Sequence, residues 1–216
     1  YRASLLTGQY PLTHGIFLND APLDDRAVSI AQAFARGGYQ TAYIGKWHVD
    51  GHGRDAHIPP ERRQGFDYWK ARECTHRYNE SMYYAGDSDE PRIWEGYDAI
   101  AQTRDAQAYI RAHAGSGPFL LMLSWGPPHA PLHTAPPEFK ALYDPADIRL
   151  RPNVPEGIAE QAREWLAGYY AHCSALDACV GDLLETLAPV GIADNTIFVF
   201  TSDDGDMLGS QGEQKK

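Results

Sequence analysis

Three apolar runs in this chain each end in ionisable residues that could handle an anionic ester. Ile44-Gly45 leads into Lys46, Trp47 and His48. The run over residues 118–125 leads into Gly126-Pro127-Pro128-His129-Ala130-Pro131. The run over residues 196–201 leads into Ser202-Asp203-Asp204-Gly205-Asp206. Carboxylates hold a hard cation through oxygen, ammonium groups neutralise sulfate or phosphate oxygens, and imidazoles move protons. Those groups brought to one rim would suit metal-assisted attack on an oxyanion ester.

Each residue alone has a plainer reading. Lys46 and His48 could be solvated loop residues, and Asp203-Asp204-Gly205 could be an ordinary turn. His129 between prolines is held more rigidly than most loop histidines. His48, His52 and His57 offer a zinc set, but Gly51 and Gly53 disfavour the helix that would align the first two, and no cysteine completes it. His14 and His133 read as structural or exposed, and Trp47 and Trp125 as packing residues. Joint placement carries the argument, because open α/β sheets gather reactive groups beyond the carboxyl ends of their strands.

The positioning elements follow from periodicity. Residues 27–36 carry an apolar helical face closed by Gly37-Gly38. Residues 39–45 are short, aromatic and β-branched, a strand pattern. Residues 46–72 read as a long polar loop. Residues 97–113 have helical spacing, and 118–125 form a continuous apolar run expected to be a strand buried on both faces. Residues 127–155 are proline-rich and irregular. Residues 159–188 read as one long helix, and 196–201 as another buried strand. The alternation predicts an α/β protein with a largely parallel sheet, in one domain over residues 1–216.

Composition bounds the partners. The chain has 216 residues, 43% of them hydrophobic, as a folded protein requires, and a formal net charge of −10. That balance argues against nucleic acid or an anionic membrane surface. No apolar run approaches the ~20 residues of a membrane helix. Cys74, Cys173 and Cys179 form no C-x-x-C pair. Tyr1 is no initiator and Lys216 closely follows an apolar run, so a fragment is expected.

Arg2-Ala3-Ser4-Leu5-Leu6-Thr7-Gly8 resembles the second half of the sulfatase signature, continued by Tyr10-Pro11 and His14-Gly15. Gly45-Lys46-Trp47-His48, Pro128-His129-Ala130-Pro131 and the segment from Thr201 to Gly209 match later blocks of that family in order. The resemblance implies an alkaline-phosphatase-like sandwich, incomplete at both ends, and a sulfuric ester hydrolase. The nucleophile would be a formylglycine three positions before Tyr1, whose hydrate attacks sulfur before elimination regenerates the aldehyde. Arg2 resembles the arginine that stabilises it, and Lys46 and His48 the pair beside it, with His48 the base for elimination. His129 and Lys216 resemble the residues that hold sulfate and assist the departing alcohol, with Lys215 the alternative lysine. Asp203 and Asp204 resemble two ligands of a Ca2+ ion.

The same resemblance implies a small-molecule or glycan sulfate ester as substrate and a periplasmic or secreted location. Tyr1 stands where the family has serine, and Asp204 where it often has asparagine or histidine. Phosphonate or phosphate ester hydrolysis is the nearest alternative, because both anions are tetrahedral. A non-catalytic relative that binds sulfated glycans is another. Residues 72–95, with Tyr78, Tyr83, Tyr84, Arg92 and Trp94, form a candidate specificity segment.

Overall fold

Residues 1–24 and 26–215 are described by a computed structural model. The chain divides into two compact units, residues 1–126 with 182–196, and 127–181 with the segment from 197 onward.

The first unit is built on a five-stranded sheet. Its strands are β1 (Gln40–Lys46), β2 (Tyr68–Arg72), β3 (Met82–Ala85), β4 (Arg92–Ile93) and β5 (Phe119–Ser124), in the order β4-β3-β2-β1-β5. β1 pairs in parallel with β2 and β5, while β3 and β4 extend the sheet antiparallel. Side chains alternate across a strand, so β1 feeds two cores. Tyr43 joins Ala3, Leu6, Ala31, Trp47 and Trp69 on one face. Ile44 joins Ala106, Ile110, Leu183 and Leu187 on the other. β1 is covered on both faces, so its five central residues are buried.

The helices are α1 (Arg2–Thr7), α2 (Pro11–His14), α3 (Ile30–Arg36) and α4 (Asp98–His113). Ser29 caps α3 in a full capping box with Gln32, which satisfies donors at the helix start. On α4, Ala99, Gln102, Thr103, Ala106, Tyr109 and Ile110 are buried at helical spacing, while Asp98 in the first turn and Arg111 in the last suit the helix dipole.

Three expectations from sequence need correction. β5, expected to be buried on both faces, is only half-buried along its length, because it ends the sheet order with β1 as its one described neighbour. The loop expected over residues 46–72 ends in strand β2. Its basic residues masked it, and each is neutralised locally. Lys70 pairs with Asp105 at 2.5 Å, and Arg72 pairs with Asp55 and donates to the Cys74 carbonyl at 2.9 Å. The run over 196–201 is not a strand and is not buried. Ile197 is 93% exposed and Val199 75%, and no described strand pairs with it. Apolar β-branched sequence becomes a strand only where a neighbour pairs its backbone N–H and C=O groups.

The second unit holds α5 (Pro137–Lys140), short 3-10 turns and residues 159–181 of α6 (Ala159–Leu187). Leu132, Leu166 and Leu208 form its core, with Trp165 and Tyr169 packed against them. Gly168 permits a close approach, since a Cβ there would lie 2.6 Å from the Leu132 carbonyl oxygen. Residues 127–155 are irregular apart from α5 and short turns.

Candidate active site

In the first unit, Arg2, Lys46 and His48 come together at the carboxyl end of β1. Helix α1 carries Arg2 to the strand end, where its Nη1 donates to the Lys46 carbonyl at 2.8 Å, to the Tyr43 hydroxyl at 3.3 Å and to Ser124 Oγ. The Tyr43 hydroxyl donates to the same Lys46 carbonyl. One guanidinium thus ties the last residue of β1 to the last residue of β5. Gly45 makes this junction possible: its φ is +107°, and a Cβ there would sit 2.2 Å from the Ser124 carbonyl oxygen. Tyr43 and Ser124 were not singled out in the sequence, although a serine closing an apolar strand is a usable signal.

His48 follows with a positive φ of 60°, held within a stitched loop. Trp47 N–H donates to the Arg72 carbonyl at 2.8 Å, and Leu23 N–H to the Val49 carbonyl at 2.8 Å. The buried Glu73 carboxylate accepts from the N–H groups of Asp50 and Gly51, both at 2.9 Å. Asp50 is in turn clamped by Arg62 at 2.7 Å. His48 Nε2 lies 3.3 Å from Asp20 Oδ1, and Arg54 grips that carboxylate through Nε at 3.1 Å and Nη2 at 2.8 Å. Nothing in the local sequence marks Asp20 or Arg54, which meet His48 only through the fold.

The imidazole is held neutral. Burial lowers the His48 pKa to about 4, and the charges of Lys46 and Arg2 push the same way against Asp20. The ring is therefore neutral above about pH 4 and can accept a proton at neutral pH. The sign gives a test. A lowered pKa puts the loss of neutral base in the free enzyme near pH 4, not near the 6.5 of a solvated histidine. We expect the acidic limb of kcat/KM in the full-length enzyme to fall there, and Asp20→Asn to move it lower still. A limb that stays at 6.5 in both proteins would contradict this electrostatic account.

In the second unit, His129 Nδ1 lies 2.9 Å from the Ala130 carbonyl oxygen. A carbonyl only accepts, so this contact puts a proton on Nδ1. The Pro127–Pro128 and Ala130–Pro131 peptide bonds on either side are cis. Asp203 and Asp204 occupy an exposed turn, where Asp203 Oδ1 accepts from the Asp204 N–H at 3.1 Å and Ser202 Oγ donates to the Asp204 carbonyl at 2.7 Å. Burial raises the Tyr169 pKa, and Cys173, Asp206, Asp204 and Asp203 add to it, so these carboxylates lie within electrostatic reach of α6. Lys216 lies outside the described residues.

These groups fit a divalent metal only in part. The carboxylates supply the hard oxygen donors a Ca2+-like ion prefers, but such an ion takes six to eight. Among the described residues, no group of three or more His, Cys, Asp or Glu could hold a metal ion.

The sulfatase family model matches residues 1–216, the whole chain. This chain belongs to the sulfatase family. An ulvan-active sulfatase from Formosa agariphila is 47% identical to it over 97% of this chain and 41% of its own length. An endo-4-O-sulfatase from Bacteroides thetaiotaomicron is 28% identical over 98% of this chain and 47% of its own. A crystal structure assigned to the sulfatase yidJ of Bacteroides fragilis superposes with a TM-score of 0.87 at 28% identity, covering 99% of this sulfatase chain and 53% of that one. A phosphonate monoester hydrolase from Silicibacter pomeroyi shares the fold, with a TM-score of 0.75 at 22% identity over 99% of this chain and 54% of the other.

The sulfatase chain therefore spans less than half the length of these curated relatives. Its sheet, parallel at the centre with helices on both faces, is the fold the resemblance implied. The family brings with it a divalent metal and a formylglycine. Among the described residues, no helix is long and apolar enough to cross a membrane.

The aromatic residues of the candidate specificity segment are mostly core. Tyr78, Tyr84 and Trp94 are buried, and Tyr83 stacks on Trp94 with ring centroids 4.2 Å apart. The Trp94 indole N–H donates to Asp105 at 2.9 Å. Of the residues named there, Arg92 is exposed. Aromatic content in that segment reflects packing of the antiparallel sheet edge.

Proposed function

We propose that the full-length protein hydrolyses sulfate esters of a polysaccharide, of the kind on which the Formosa relative acts, outside the cytoplasm. The observation that carries this is the cluster at the end of β1, where the Lys46 and Arg2 charges both act on a half-buried, neutral His48. Two cations beside a neutral base suit a substrate that brings negative charge and a proton to be moved.

A formylglycine hydrate would supply the attacking oxygen, and a metal, for which oxygen donors favour Ca2+, would offset charge on the sulfate. The chain's own groups have separate tasks. Lys46 binds a sulfate oxygen as a point charge. His48 accepts the proton whose removal lets sulfate leave. Arg2 keeps its hold on the Lys46 carbonyl and so fixes where that lysine starts. His129 and Lys216 hold the sulfate, and His129 delivers a proton to the departing alcohol. Since His129 Nδ1 is already protonated, donation from Nε2 requires the imidazolium form. Asp203 and Asp204 contribute two of the metal's oxygens.

The sulfate reading and the phosphonate reading separate on rate. The full-length enzyme should hydrolyse an aryl sulfate with kcat/KM at least ~100-fold above that for the matching aryl phosphonate monoester, a difference of about 2.7 kcal/mol in barrier. A ratio near one or inverted would replace this reading with phosphonate hydrolysis. No turnover of either, with an unmodified residue three places before Tyr1, would favour a glycan-binding role.

A further inference from the structure

We propose that Ser81, Asp98 and Gln102 form a binding site for one internal water molecule at the carboxyl end of β1, and that this water fixes the strand end carrying Lys46. The three residues are 0%, 1% and 2% exposed. Ser81 Oγ, Asp98 Oδ1 and Gln102 Oε1 are each buried without a hydrogen bond. All three residues line one cavity of about 10 Å³, together with Gly45, Lys46 and Arg72. That is about the smallest space that holds a water.

The donor and acceptor types match a water atom for atom. A carboxylate oxygen and an amide oxygen can only accept, and a hydroxyl can donate. One water can donate to Asp98 Oδ1 and Gln102 Oε1 while accepting from Ser81 Oγ, so all three orphan atoms are satisfied together. Buried polar groups are rarely left unpaired, and such waters typically make about three bonds.

The link to Lys46 is geometric. A Cβ at Gly45 would stand 3.1 Å from Gln102 Oε1, so the Gln102 amide rests against the backbone just before Lys46. Arg2 and Tyr43 hold the Lys46 carbonyl, and the water would hold the strand end through Gln102. The role, though not the site, rests on Lys46 binding the substrate anion as proposed above.

A crystal structure of the full-length protein at about 1.5 Å decides the site without reference to the reaction. We expect one peak within hydrogen-bond reach, about 2.7–3.2 Å, of all three oxygens. A dry cavity, or a peak at about 2.3–2.6 Å with a cation's contacts, would overturn it. Steady-state kinetics on an aryl sulfate decide the role. Gln102→Leu should raise KM roughly tenfold with kcat within about twofold, a fraction of the ~100-fold that a 1 Å misplacement can cost. Gln102→Glu, which keeps an acceptor oxygen, should restore KM. If Gln102→Leu does not fold, Ser81→Ala should raise KM about threefold, as loss of one of the water's bonds implies. Unchanged KM, or a fall in kcat alone, would reduce these residues to a structural role. If Lys46→Ala itself leaves turnover intact, the catalytic reading fails and the link to Lys46 with it, while the water peak still decides the site.

Discussion

Replacing Lys46 with alanine in the full-length protein should lower kcat/KM for an aryl sulfate by about 100- to 1,000-fold, the cost of removing one charge-stabilising donor from an active site. The interactions that shape the strand end involve the Lys46 carbonyl, which accepts from Arg2 and Tyr43. Alanine keeps that carbonyl, so the loss should report the ammonium group and not a displaced strand. Lys46→Arg should recover only part of the rate, because a planar fork does not occupy the place of a compact ammonium. Steady-state kinetics with a thermal melt for each variant check this. A rate within a few-fold of wild type would remove Lys46 from the site.

An effect of similar size is expected at Asp203. Its side chain is exposed and its described bond is local, to the Asp204 N–H. Asp203→Ala should thus cost the fold within about 0.5 kcal/mol, the usual range for surface changes. Activity should fall by about 100- to 1,000-fold, since a Lewis-acid metal is worth several kcal/mol of transition-state stabilisation. Metal content per protein chain, measured by elemental analysis after exhaustive dialysis, should drop together with the rate. Full metal occupancy with normal turnover would take Asp203 out of the ligand set.

Much of this was legible in the sequence because it rests on short-range pattern. β1, β5, α4 and α6 all appear within a residue or two of where periodicity put them. The Lys46 and His48 pair was legible as well, since it directly follows a strand whose neighbours must cover both faces. β2 was not. Lys70 and Arg72 gave it the composition of a loop, and only the fold reveals the carboxylates of Asp105 and Asp55 that neutralise them. Residues 196–201 misled in the opposite direction, because local composition reports the capacity to form a strand and not the presence of a pairing partner. Asp20, Arg54 and Ser124 reach the site across long stretches of chain, and only Ser124, which closes an apolar strand, carries a local signal. The aromatic residues of segment 72–95 showed how composition alone cannot tell a sugar platform from a core.

Central to the proposed reaction is whether Lys46, beside the neutral His48, binds a tetrahedral anion at the end of β1. A crystal structure of the full-length enzyme with bound sulfate tests this most directly. We expect Lys46 Nζ within about 3.2 Å of an oxygen of that sulfate, with His48 beside it. A sulfate bound elsewhere, with those side chains turned to separate surroundings, would contradict the central claim.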